Sequence, residues 1–177
     1  FPGMHVAVCA NLPYYITTPI ITKLIEDRLP LKNIVVMVQK EVAERIAAKP
    51  GKKDYGAISV LCQYYTEPRL VTVVPAGSFY PAPKVDSAVL CMRVLDKPAI
   101  TVADEKCFFK VVKASFAQRR KTLLNCLANG FGLDKQPLSD LLESIGIDPK
   151  IRGEKLGLAE FARISDALCK LDNSANI

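Results

Sequence analysis

Apolar residues recur along this chain in two rhythms, and the change from one to the other divides it. In the first part, short apolar runs alternate with helical patterns. His5-Val6-Ala7-Val8-Cys9-Ala10 reads as a buried strand. Thr17-Thr18-Pro19 is a start signal for a helix over 19–29, with Ile20, Ile21, Leu24 and Ile25 on one face. Leu31 to Val38 is a second, Val-rich strand. A short helix over 40–48 ends before Pro50-Gly51, where Lys49, Lys52, Lys53 and Asp54 make a charged loop, read as solvated. A further helix spans 56–65. Leu70 to Val74 and Ser87 to Leu95 are β-rich runs joined by a proline-punctuated loop. Strands alternating with helices, then two adjacent strands, predict an α/β fold. It would be the second half of a doubly wound sheet with an antiparallel edge.

After Asp96-Lys97-Pro98 the β-rich runs stop. Residues 104–115 predict a helix with Phe108, Val111 and Val112 inward. A second is predicted over about 118–129, stopped by Asn129-Gly130. Pro137 to Ile145 is a third, stopped by Gly146. The last, over about 157–170, carries Leu158, Phe161, Ile164 and Leu168 on one face. The expected organisation is an α/β part over residues 1–98 and a small all-α domain over 99–177.

Charge adds a direction. The net charge is +6 with a pI near 9.0, which favours an anionic partner. Residues 1–98 hold 12 basic and 8 acidic side chains and residues 99–177 hold 12 and 10, so there is no basic tail. The six cysteines, at 9, 62, 91, 107, 126 and 169, form no CxxC pair and have only His5 to join them, so no metal site is expected. Cys62 and Cys91 lie in apolar runs as small hydrophobes, which suits a reduced, cytoplasmic protein. No apolar run approaches the roughly 18 residues of a spanning helix, so no membrane is expected.

Candidate chemistry concentrates in two segments. Asn11-Leu12-Pro13-Tyr14 stands at the carboxyl end of the first strand, where ligands bind in open α/β sheets. Asn offers one acceptor and two donors on a short stem. Pro stiffens the turn and lacks an N–H. Tyr supplies a flat face. The set suits a flat ring with an exocyclic amine, such as adenine, although Asn-x-Pro after a strand is also a common turn initiator. The second segment, from Val74 to Val89, holds another aromatic, Phe79, and a cation, Lys84. Phe79 taken alone reads equally well as a core residue under a loop.

The pairing of Asn-Leu-Pro-Tyr with Phe79-x-Pro81-x-Pro83-Lys84-Val85-Asp86-Ser87 resembles the ribosomal RNA adenine-N6 dimethyltransferase family, most of all its bacterial small-subunit branch. Gln39 to Arg45, Tyr55 to Val60, Phe116 to Leu123 and Arg152 to Phe161 match the family in order and spacing. The resemblance implies a Rossmann-like S-adenosylmethionine-dependent methyltransferase sheet followed by a small helical RNA-binding domain. It implies that Asn11, Leu12, Pro13, Tyr14 and Phe79 make the catalytic pocket. The Asn11 oxygen and the Leu12 carbonyl accept from adenine N6, Tyr14 stacks on one face of the base, and Phe79 covers the other. Asn11 also reaches the cofactor. RNA phosphates fall to Lys84, Lys110, Lys113, Arg119, Arg120 and Lys121. The last three are placed at a helix start, where cations oppose the dipole. A solvated face reads that run about as well.

One departure from the family is large. Its Gly-rich turn for S-adenosylmethionine, where glycine lets backbone approach the ligand, has no counterpart among the nine glycines here. The chain opens at Phe1-Pro2-Gly3, ahead of the family's fourth strand, and reads as a carboxyl-terminal fragment with most of the cofactor site absent. An independent domain is the alternative. The expected partners are small-subunit ribosomal RNA and the pre-ribosomal small subunit. Rivals are the large-subunit branch that confers antibiotic resistance, and a non-catalytic RNA- or ribosome-binding module. The isolated chain is expected to self-associate through its amino-terminal strand.

Overall fold

Four strands form one sheet in the order β1 (Val6–Asn11), β2 (Leu31–Gln39), β4 (Ser87–Val94) and β3 (Thr66–Val74) in a computed structural model that describes residues 5–174, with side chains through residue 169. The opening Phe1-Pro2-Gly3 lies outside the described residues. β1 and β2 run parallel, and β4 is antiparallel to both of its neighbours. The expected α/β sheet is therefore present, and its last strand is inserted between β2 and β3.

The buried strands are central. β4 hides Ala88, Leu90 and Met92, and β2 hides Ile34, Val36 and Val38. β1, whose apolar run alone reads as a buried strand, has only β2 beside it among the described residues, as the expected self-association through this strand requires: Val6, Val8 and Ala10 are half-buried, while Ala7, Cys9 and Asn11 face solvent. β3 begins four residues earlier than its apolar run suggests. Glu67, Pro68 and Arg69 disguise that start, yet all three pair with β4. Proline is tolerated there because β3 is the other edge.

Helix α1 (Thr17–Glu26) starts two residues before the expected point and stops three earlier. Buried Thr17 donates its hydroxyl to the Pro13 carbonyl at 3.0 Å, which ties the helix to the turn ahead of it. Pro19 falls in the first turn, where no N–H is needed. α2 (Lys40–Ala47) follows β2 directly, with Glu41 in its first turn and Arg45 in its last. α3 spans Ala57–Tyr65.

Two compact units divide the chain: Phe1–Ala48 with Leu61–Ala99, and Lys49–Val60 with Ile100–Ile177. The first contains the sheet. In the second, α4 (Glu105–Phe116), α5 (Leu123–Phe131), α6 (Lys135–Ser144) and α7 (Leu158–Ser174) enclose Phe108, Val111, Leu123, Leu127, Leu138, Phe161 and Ile164. Segment 49–60 joins this unit through Tyr55, which is buried with its ring edge-on to Phe116. Burial, and secondarily the Glu160 carboxylate, push the Tyr55 phenol up to about 12.

One predicted helix is corrected. Residues 118–121 form a turn, and α5 begins after the N-cap Thr122, whose hydroxyl accepts from the Asn125 amide at 3.4 Å. Nor does Gly130 stop the helix. A Cβ there would lie 2.6 Å from the Ala114 Cβ, so Gly130 is a point of close approach between α4 and α5. The stop is Gly132, at φ +67.

Candidate active site

The first unit folds the two candidate segments onto one cavity. Asn11 ends β1 and pairs in register with Met37, and the Leu12 amide continues the ladder to the Met37 carbonyl at 3.1 Å. Leu12 is buried, which anchors the turn from below. Pro13 stands exposed at the lip. Its carbonyl accepts from both the Ile16 amide and the Thr17 hydroxyl, which fixes the turn before α1. Exposed Asn11 and half-buried Tyr14 are therefore held on a rigid backbone.

The loop between β3 and β4 supplies the facing wall. The Asp86 carboxylate accepts from the Ala76 amide at 3.0 Å and closes the loop upon itself. The Asp86 carbonyl accepts from the Lys40 amide, which fastens the loop to the start of α2. Phe79 is half-buried on this wall, and the Tyr80–Pro81 peptide is cis. The cavity, of about 290 Å³, is lined by Asn11, Leu12, Pro13, Tyr14, Phe79, Pro81 and Pro83. No carboxylate lines it. It offers two aromatic rings, a proline rim and one amide.

The structure thus brings together all five residues expected in the catalytic pocket. Lys84 is exposed on the same loop but outside the cavity lining. Sequence reasoning passed over three contributors. Pro81 and Pro83 line the cavity. Ser87, buried at the start of β4, places its hydroxyl 2.6 Å from that of Tyr14. The clue to Ser87 was its place in Lys-Val-Asp-Ser, a polar residue opening an apolar strand.

The second unit carries the other candidates. Arg119, Arg120 and Lys121 are exposed in the turn ahead of Thr122, not on a helix as expected. Arg119 reaches the Tyr55 carbonyl at 3.5 Å. Lys113 is exposed on α4. Lys110, one turn before it, lies over the Phe131 ring at 4.2 Å, a cation–π contact.

Among the described residues no group of His, Cys, Asp and Glu is arranged to hold a metal, and no helix is long and apolar enough to cross a membrane. Burial pushes the Cys62 thiol up to about 12.

The family model for ribosomal RNA adenine dimethylase matches residues 2–170. Ribosomal RNA small subunit methyltransferase A from Bacillus cytotoxicus and that from Bacillus mycoides are each 56% identical over 169 residues, covering 94% of this chain. The chain spans 58% of the length of these relatives. A dimethyladenosine transferase from Plasmodium falciparum superposes with a TM-score of 0.78 at 25% identity, over 99% of this chain and 69% of its own. The 23S rRNA methyltransferase ErmE shares the fold, with a TM-score of 0.67 at 21% identity over 95% of this chain and 67% of its own.

Proposed function

The chain belongs to the ribosomal RNA adenine dimethylase family, and we propose that it forms the acceptor-base and RNA-binding part of an enzyme that dimethylates N6 of adenines near the 3′ end of small-subunit ribosomal RNA. The observation that carries this reading is the cavity built from Asn11 to Tyr14 on one side and Phe79 to Pro83 on the other. The methyl donor of this chemistry is S-adenosylmethionine, which supplies the methyl group as a sulfonium. Among the described residues no glycine turn opens a helix after a strand, so they do not fit that group and supply the acceptor side of the reaction.

Adenine N6 is a poor nucleophile because its lone pair is delocalised into the ring. The Asn11 side-chain oxygen and the Leu12 carbonyl accept from the two N6 hydrogens. That turns the lone pair out of conjugation and frees it to act as a nucleophile, a positioning effect. The same acceptors stabilise positive charge growing on nitrogen. The absence of a carboxylate from the cavity lining agrees with this, since the methylated amine is acidic enough to release its proton to solvent. Tyr14 stacks on one face of the base and Phe79 on the other, each worth about 1–3 kcal/mol. The target must leave its helical stack to enter, so an unpaired adenine is the substrate. Arg119, Arg120 and Lys121 hold phosphates, with Lys113, Lys110 and Lys84 as weaker contributors. The partner is the small subunit or its precursor, an assignment supported by the names of the Bacillus relatives. The compartment is a reducing cytoplasm, supported by six cysteines of which none forms a disulfide among the described residues.

Photo-cross-linking tests the reading without turnover. An RNA hairpin with 8-azidoadenine in its loop should label Tyr14 or Phe79, and Tyr14→Ala should remove that label. Labelling confined to the second unit would favour a non-catalytic RNA-binding module.

A further inference from the structure

Nine of the 24 basic side chains stand on three loops of the second unit, residues 49–55, 117–122 and 148–156, three on each. The same loops carry three carboxylates, Asp54, Asp148 and Glu154. The difference of six is the net charge of the chain, so the remaining 15 basic and 15 acidic side chains cancel. All nine cations are exposed, and none takes part in an ion pair among the described residues. Elsewhere cations stand beside carboxylates, as Lys23 with Asp27, Lys32 with Asp96 and Arg163 with Glu160.

The three loops are fastened to one another. The Gly51 amide donates to the Glu154 carbonyl at 2.7 Å, and the amides of Leu123 and Leu124 donate to the carbonyls of Ile151 and Pro149 at 2.7 and 3.1 Å. Arg119 reaches the Tyr55 carbonyl. Gly51 holds φ +85, and the Lys155 Nζ lies 3.9 Å from where a Cβ on Gly51 would stand, so Lys155 packs alongside the Lys49–Lys53 loop. Gly153 is seated so closely on Ser115 that a Cβ would come within 2.7 Å of the Ser115 carbonyl oxygen. Unpaired like charges on rigid, adjoining loops repel one another, and nothing in the fold requires that arrangement. An anion bound across the loops would offset that repulsion.

We propose that Lys49, Lys52, Lys53 and Lys155 bind the phosphate backbone of an RNA duplex, extending the phosphate contacts of Arg119–Lys121 across all three loops. The proposal rests on the reading of this protein as an RNA binder. It reverses the expectation that the Lys49–Lys53 loop is merely solvated. The three loops expose no aromatic ring, since Tyr55 is buried, so they offer no platform for unpaired bases. Six of the nine cations are lysines, point charges suited to phosphate and indifferent to sequence. The surface thus fits a paired helix, whereas the cavity of the first unit fits a single unpaired base.

Fluorescence anisotropy with a blunt RNA duplex containing no unpaired adenine, titrated over salt concentration, tests this. Replacing Lys49, Lys52 and Lys53 together by Gln should lower the log–log salt slope by roughly 0.9 per lost contact, about 2–3 in all, with unchanged circular dichroism. Lys135→Gln, an exposed lysine on α6, should leave the slope unaltered. Asn11→Ala should also leave duplex binding intact, so failure of the adenine pocket and failure of this surface are separate results. An unaltered slope in the triple variant overturns the proposal. So does an equal loss of affinity for a single-stranded uridine homopolymer, which would make the surface a general polyanion binder.

Discussion

The hydroxyls of Tyr14 and Ser87 lie 2.6 Å apart, and that contact changes what a substitution at Tyr14 means. From the sequence, Tyr14 is a flat ring and its hydroxyl is incidental. In the fold, the hydroxyl fixes the ring against the first residue of β4, which is itself buried. Tyr14→Phe keeps the stacking face but strands the Ser87 hydroxyl, at a cost of about 1–3 kcal/mol. The expected outcome is a urea midpoint clearly below wild type with affinity for an adenine-bearing loop nearly retained. Adding Ser87→Ala removes the stranded group, so the double variant should be less destabilised than the two single effects added together. Simple additivity would mean that the two hydroxyls do not depend on each other. Tyr14→Ala removes the face as well and should weaken loop binding by roughly 1–3 kcal/mol.

At the level of elements, glycine marks the difference between a stop and a contact. Gly130→Ala gains about 1 kcal/mol of helix propensity. It also drives a methyl to 2.6 Å from the Ala114 Cβ, and such overpacking costs about 1–3 kcal/mol. Net destabilisation is expected by thermal or urea unfolding; a stabilised variant would show that α4 and α5 separate freely. This position also shows where the sequence was opaque. Asn129-Gly130 looks like a helix end because local chemistry alone is visible, whereas the contact with Ala114 is tertiary. For the same reason the sequence of the Gln118–Lys121 turn predicts a helix, although Thr122 with Asn125 holds the true capping signal. β3 was hidden by Glu67, Pro68 and Arg69, residues tolerated because they lie on an edge. By contrast, the alternation of strands and helices made the α/β class legible, and Asn-Leu-Pro-Tyr was legible as a turn closing a strand, which is a local construction; that Phe79 faces it is tertiary, and only the family resemblance pointed to it. The proximity of the Lys49–Lys53 loop to Lys155 was not legible, since a hundred residues separate them.

Across the molecule, the two edges of the sheet are defended unequally. β3 carries Glu67, Pro68, Arg69 and an irregularity between Leu70 and Thr72, all of which discourage pairing with another chain. β1, Val6–Asn11, has no charge, no proline and a single described neighbour, β2. A protein made of these 177 residues alone is therefore expected to self-associate through β1. Light scattering should show mass rising with concentration, and hydrogen exchange at residues 5–10 should slow as it does. A monomer at every concentration, with these amides strongly protected, would contradict this.

The central claim is that Asn11 reads the exocyclic amine of an unpaired adenine. The most direct measurement compares the affinity of this protein for one RNA hairpin carrying adenine in its loop and for the same hairpin carrying purine riboside, which lacks the N6 amine. Wild type should prefer adenine by about 0.5–1.5 kcal/mol, roughly twofold to twelvefold, and Asn11→Ala should narrow that preference to what the Leu12 carbonyl alone supplies. Equal binding by wild type, or a preference undiminished in Asn11→Ala, would contradict the claim.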